Sequence, residues 1–276
     1  MNHRTLLTLV AALLVSGAAA TAGPAVADRA AAPETASRAS TRSVTISAPR
    51  DVTEGDRYTV TAKVSAASKA RTIQWQSLQP YYTGELVWTA LRTNKIRGAA
   101  AQTYKALADT SSTQQYRAVV TYADGQSVTS HRTTVRLWHW IDLGSYTAYY
   151  RVGVVFDSPY VSFAMNGDTW EGWYVHNGMG ESRYTLGRNC TAFRGTIGVG
   201  DFTDDGGTAQ ITLLTDETNI VYTSPTLVPG QVTQVQLDLD KPYRFSIQGR
   251  DTTPEDGITR DVYPAIGAPQ FLCHFS

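Results

Sequence analysis

From Ser43 onward the chain alternates apolar and polar residues with a period of two, in short runs separated by turn residues. Tyr58, Val60, Ala62 and Val64 alternate with Thr59, Thr61 and Lys63; Ile73 and Trp75 alternate with Thr72, Gln74 and Gln76. Tyr116, Ala118 and Val120 share one face before the turn Ala123-Asp124-Gly125, and Val128 to Val135 lead the chain back. Beyond Trp138 the pattern is cleaner. Phe193, Gly195, Ile197 and Val199 oppose Arg194, Thr196 and Gly198, and Ala209, Ile211 and Leu213 oppose Gln210 and Thr212. Val235, Leu237 and Leu239 oppose Gln236, Asp238 and Asp240, and Tyr243, Phe245 and Ile247 oppose Arg244, Ser246 and Gln248. Each run predicts a strand with one wet face. No amphipathic helix longer than a turn or two is readable, so the predicted class is all-β. Two stretches are less regular. Asn94 to Lys105 (NKIRGAAAQTYK) predicts a short helical turn or a loop, and Tyr81, Tyr82 and Trp88 around Thr83-Gly84 predict a hairpin tip or loop with rings packed beneath it.

The first residues read differently. One positive charge, an apolar run from Leu6 to Val15 and the small-x-small signal Ala25-Val26-Ala27 predict a signal peptide over 1–27, which implies a secreted or cell-surface protein. Residues 28–42, rich in Ala, Ser, Thr and Arg, predict a flexible spacer. No later segment is apolar enough to span a bilayer. The remaining roughly 230 residues suit two ordinary cores. The predicted division is a sandwich over 43–137 and another over 138–276, joined without a Gly/Pro/Ser linker at Trp138-His139-Trp140, where a tryptophan is expected in the interface. The whole chain has formal charge zero, and loss of the leader removes Arg4 and no acid. That leaves no basic stripe for nucleic acid or an anionic membrane. The only two cysteines, Cys190 and Cys273, predict one disulfide between an early and the last strand of the second sandwich.

In the first sandwich, Trp75 stands thirteen residues after Ala62, followed by YRAVVTYADG from Tyr116 to Gly125. This arrangement resembles an immunoglobulin-like domain of the bacterial surface type. The resemblance implies that Trp75 is core, that Tyr116 makes the corner hydrogen bond to backbone, and that Ala62 and Ala118 replace the two pin cysteines. Such a domain also offers a surface for a protein partner.

In the second, Asn166-Gly167, Trp170, Gly172 to His176, Tyr184 to Leu186 and Phe193 to Asp201 follow one another in a specific order. This stretch resembles the NPCBM-type carbohydrate-binding module, a galactose-binding-like jelly roll, over about 110 of the last 140 residues. The resemblance implies a non-catalytic module whose partner is a glycan. One departure is Ile266, which stands where tryptophan is common in the family; a decayed sugar site, with a structural or protein-binding role, is the first alternative, and a secreted hydrolase is the second.

A sugar site needs an aromatic face and planar polar groups. Trp170, Trp173, Tyr174, His176 and Asn177 offer both within eight residues. Neighbours on a strand face opposite ways, so either Trp173 with Val175 or Tyr174 with His176 points outward. A second candidate segment, Gly249 to Tyr263, contributes Arg250, Asp256 and Asp261, against which stands simple mutual pairing of surface charges. The turn Asp201 to Gly207 offers carboxylates to calcium, but an ordinary Asp/Gly hairpin has the same composition, so no cofactor is assigned. Catalytic signatures are absent: there is no His-Glu-x-x-His, Cys-x-x-Cys or Gly-x-Ser-x-Gly, and Glu171 and Glu181 do not have the spacing of a facing carboxylate pair.

Overall fold

The computed structural model describes residues 42–109, 113–156 and 162–274; the segment assigned to the signal peptide, and the spacer apart from Arg42, lie outside the described residues. The fold is all-β. Among the described residues helix is limited to two single turns, Ala67–Lys69 and Leu143–Ser145, and no helix is long and apolar enough to cross a membrane.

The strands are β1 (Val44–Ser47), β2 (Asp51–Thr53), β3 (Arg57–Val64), β4 (Ala70–Pro80), β5 (Leu86–Lys95), β6 (Ala101–Leu107), β7 (Thr113–Tyr122), β8 (Ser127–Thr129) and β9 (Thr133–Asp142). They continue as β10 (Ala148–Val152), β11 (Val154–Phe156), β12 (Ser162–Met165), β13 (Asp168–Val175), β14 (Met179–Thr185) and β15 (Cys190–Val199). The last five are β16 (Ala209–Thr215), β17 (Asn219–Thr223), β18 (Val232–Asp238), β19 (Arg244–Asp251) and β20 (Pro264–Cys273).

One hydrophobic core draws on residues 44–137. The sheet β1-β3-β6 closes over β5-β4-β7-β9, so that Val60, Ala62, Ile73, Trp75, Ala118 and Val120 are fully buried. Trp75 is core as expected. It stands cross-strand from Ala118 and stacks on Tyr104 at 5.8 Å. The corner hydrogen bond is not made to backbone. Tyr116 Oη donates to Gln114 Oε1 at 2.7 Å and lies 2.6 Å from Tyr58 Oη, because a buried amide two residues away offers a nearer acceptor.

The segment 94–105 is neither helical turn nor loop as a whole. It is the end of β5, a turn at Gly98 and the start of β6, since pairing of Ala101 to Leu107 along β3 outweighs the weak strand preference of alanine. Tyr81 and Tyr82 are also exposed rather than tucked under a loop. The β4–β5 turn closes tightly, with Tyr81 N–H bonded to Glu85 O at 2.7 Å, which leaves Tyr82 86% accessible at the tip.

A second core draws on residues 143–273. The five-stranded sheet β10-β14-β19-β16-β17 packs on a sheet in which β20 is flanked by β13 and β15, with β18 outside β15 and β11 and β12 beside β13. Phe193, Ile197, Ile211, Leu213, Phe245 and Ile247 meet between the sheets as the alternation requires. Tyr243 departs from it. β19 begins at Arg244, and Tyr243 is exposed in the preceding turn, its N–H held by Asp216 Oδ1 at 2.9 Å. The outer face of β15 is also drier than expected, because Phe163, Met165 and Trp170 of β12 and β13 fold across this sheet. Trp170 lies so close over Gly267 that a Cβ there would fall 2.3 Å from its ring, which is why β20 carries glycine at that point.

Cys190 and Cys273 form the predicted disulfide, directly opposite each other on β15 and β20 and fully buried. The Tyr146 hydroxyl sits 3.1 Å from Cys273 Sγ, and burial pushes its pKa up to about 12.

Strand β9 takes part in both halves. Residues Thr133 to Arg136 pair with β7, Arg136 to Trp138 run parallel to β2, and His139 to Asp142 pair with β20. Trp138 lies between them: its indole N–H donates to Asp51 Oδ1 at 3.0 Å, and its ring meets His274 at 5.0 Å.

Candidate functional site

The site forms where three connections of the second sandwich meet: β13–β14 (176–178), β15–β16 (200–208) and β19–β20 (252–263). Backbone bonds lace them together. Gly178 N–H donates to Val262 O at 3.0 Å, Gly200 N–H to Tyr263 O at 2.9 Å and Asp204 N–H to Asp261 O at 3.0 Å. Asn177 has φ 53°, a left-handed turn conformation that asparagine tolerates well, and it is exposed.

On this scaffold four rings form a continuous set. Tyr174 meets Phe202 at 5.8 Å, Phe202 meets Tyr263 at 4.3 Å, and His176 stands edge-on to Tyr263 at 5.5 Å. The buried Phe163 backs Tyr174 at 5.3 Å. Phe202 is 44% accessible, an unusual place for phenylalanine, which is ordinarily buried. Its ring folds over Gly200, where a Cβ would lie 2.9 Å from it. Burial raises the pKa of the Tyr174 phenol, with Tyr263 adding to the effect; for Tyr263 the causes are burial, then Asp261 and Asp204. Both phenols are therefore neutral hydrogen-bonding groups on a partly open aromatic surface.

The candidate residues separate in this geometry. Tyr174 and His176 lie together in the ring set, and Asn177 sits in the adjoining turn. Trp173 does not belong with them: it is fully buried, donates its indole N–H to Ser182 Oγ at 2.9 Å, and packs cross-strand from Ile266. The alternation of β13 allowed either face, and the inward position of Val175 decides it. Ile266 is buried too, so the identity of that residue subtracts nothing from the surface. Arg250 points onto the outer face of the five-stranded sheet, bonded to Gln210 in a groove shared with Glu181 and Gln248 and away from the rings. Glu181 is held by Arg183 there, at 2.7 Å.

Asp261 borders the rings, its N–H on Asp204 Oδ2 at 2.8 Å. Asp256 is engaged within its own loop, its two oxygens paired with Arg260 at 2.9 and 2.7 Å while Oδ1 also accepts Ile258 N–H at 3.0 Å. The Arg260 guanidinium first, and that amide second, push the Asp256 pKa down from 3.8 to about 2. A carboxyl depressed on folding stabilises above its unfolded pKa, and the gain is lost as pH falls through the folded one. Amide protection at Ile258 is therefore expected to hold above about pH 4 and to fall away towards pH 2, in a hydrogen-exchange series across that window. Protection independent of pH there would show that the pair does not hold the loop.

Phe202 and Tyr263 are members of the set that were not among the sequence candidates. The available signal was a large apolar residue inside the Asp/Gly turn Asp201-Phe-Thr-Asp204, where solvation normally selects against one. Asp201 itself is spent on structure: its two oxygens accept the N–H groups of Asn166 and Gly167 at 2.6 and 2.8 Å, fixing the β12–β13 turn. Among the described residues no three His, Cys, Asp or Glu side chains are gathered as a metal ion would require.

No curated protein matches the chain. Among solved structures it is similar to the CBM51-2 and INT domains of Clostridium perfringens ZmpB, at 10% identity over 59% of this chain and 37% of that one, with TM-score 0.39. It is also similar to CBM51 from Clostridium perfringens GH95 in complex with methyl-galactose, at 13% identity over 48% and 99%, with TM-score 0.38. A third similarity, to fibronectin(III)-like modules of Clostridium thermocellum CbhA, has 19% identity over 34% and 94%, with TM-score 0.25. The chain spans 37% of the length of the first of these. The segment 162–263, which carries Tyr174, His176, Phe202 and Tyr263, matches the NPCBM/NEW2 domain family.

Proposed function

We propose that this is a secreted, non-catalytic protein that binds a glycan through the ring set at the end of its second sandwich. The observation that carries the reading is the mutually braced group Tyr174, His176, Phe202 and Tyr263, with His176 and Phe202 exposed and the two tyrosines half-buried, inside the segment that matches the NPCBM/NEW2 family. Sugar rings present C–H faces that stack on aromatic surfaces, and the phenols, His176 and Asn177 supply hydrogen bonds to hydroxyls. The leader-like N-terminus and the buried disulfide support secretion.

Retention of the full chain on a panel of insoluble polysaccharides and a glycan array tests this. Phe202→Ala and His176→Ala are expected to weaken binding roughly tenfold each, the scale of one aromatic contact. Their melting temperatures are expected to stay within about 2 °C, since both side chains are exposed. No retention of the wild type on any surface would end the proposal.

The first sandwich, read as immunoglobulin-like, is proposed to meet a protein partner. Tyr81 and Tyr82, 51% and 86% accessible at one hairpin tip with rings 4.2 Å apart, support that second surface.

A further inference from the structure

The chain as a whole has no net charge, but the end that carries the rings is strongly acidic. The β15–β16 connection holds Asp201, Asp204 and Asp205; Asp251, at the end of β19, and the β19–β20 connection add Glu255, Asp256 and Asp261. The only basic residue in these two segments is Arg260, and Asp256 neutralises it while Asp205 O accepts its Nε–H at 3.1 Å. Three of the other carboxylates accept hydrogen bonds from neutral backbone donors, which do not cancel their charge: Asp201 from Asn166 and Gly167, Asp204 from Asp261, Asp251 from Thr253. The single Arg260 charge is felt by Asp204 and Asp251 as well as by Asp256, so the acids of this end outnumber the base acting on them. Asp204 and Asp261 lie near enough to Tyr263 to raise its phenol. Among the described residues no three of these side chains gather as a metal ion would require.

Aromatic faces under a rim of carboxylates complement a cation. An ammonium gains from the ring quadrupole and from the surrounding field, whereas a carboxylate or sulfate on the ligand is repelled by both. We infer that the glycan taken by this end carries free amines, as a glucosamine polymer does, and that uronate and sulfated glycans are rejected. This rests on the glycan reading above and assigns it a ligand chemistry. The rings supply the stacking surface common to any sugar, and Asp204 and Asp261 select for charge.

The test is calorimetric titration of the full chain with three oligosaccharides of equal length: glucosamine, N-acetylglucosamine and glucuronate. At low salt the amine form is expected to bind about tenfold more tightly than its N-acetyl counterpart, the sum of two exposed charge pairs, and glucuronate not measurably. Asp261→Asn should narrow that ratio about threefold, and added salt should narrow it further. Phe202→Ala should weaken binding of the amine form. Equal affinity for amine and N-acetyl forms, with binding still dependent on Phe202, would overturn the inference and leave the glycan reading standing. Amine binding that ignores Phe202→Ala and is matched by polylysine would reduce it to ion exchange, and also overturns it. No binding to any of the three, or to the polysaccharide panel, removes both.

Discussion

Trp173→Ala is expected to destabilise the second sandwich by about 4 kcal/mol, the usual cost of emptying a tryptophan-sized volume in a core that cannot collapse around it. The indole is fully buried between β13 and its neighbours, faces Ile266 across the sheet, and gives its N–H to Ser182 Oγ. Removal therefore leaves a cavity and takes away the donor that a buried hydroxyl was accepting from. In calorimetry the transition should move down by on the order of 10 °C. Glycan affinity per folded molecule should be nearly retained, because the ring set touches the other face of β13. The reverse pattern, binding lost at an unchanged melting temperature, would mean that Trp173 and not Tyr174 faces the ligand.

Removal of the disulfide by Cys190→Ala with Cys273→Ala is expected to cost a similar amount, about 4 kcal/mol. In the chain-entropy account this reflects the freedom regained by an unfolded segment 83 residues long. Both sulfurs are buried beneath Tyr146, so reductant alone should act slowly on the folded protein and faster as urea opens it. The effect should not stop at the second core. Cys273 pairs with His139 of β9, and loosening of β20 there should lower hydrogen-exchange protection from His139 to Asp142. A urea midpoint that does not move in the double variant would contradict the account.

Much of the framework was legible in the alternation. The runs around Val60, Ile73, Val120, Ile197, Ile211 and Ile247 all bury the expected face, and the two cysteines had only each other to pair with. What the alternation lacks is a sense of direction. On β13 it allows two facings equally, and only packing against β14 and β19 of the opposing sheet, at Ser182 and Gly249, shows that Trp173 is the inward one. It is also silent outside strands, so Phe202 in its turn and Tyr263 at a loop end carried no periodic mark. Asp256 and Arg250 are charged residues in the right stretch of chain, but one is satisfied within its own loop and the other belongs to a different face. Sequence neighbourhood could not separate those cases, because both depend on where a long side chain finds its nearest partner.

The ten residues of β9 have a consequence for how weak contacts add. Two binding modules on a flexible tether meet their targets with an effective concentration set by linker length, and each extra residue dilutes it. Here one hydrogen-bonded strand passes from the first sheet into the second, with Trp138 clamped between Asp51 and His274. The tyrosine tip of the first sandwich and the ring set of the second are thus held at a set spacing. On the proposed reading of both surfaces, a target that presents a glycan and a protein partner at that spacing gains the avidity of two sites, and one that presents them at another spacing loses it.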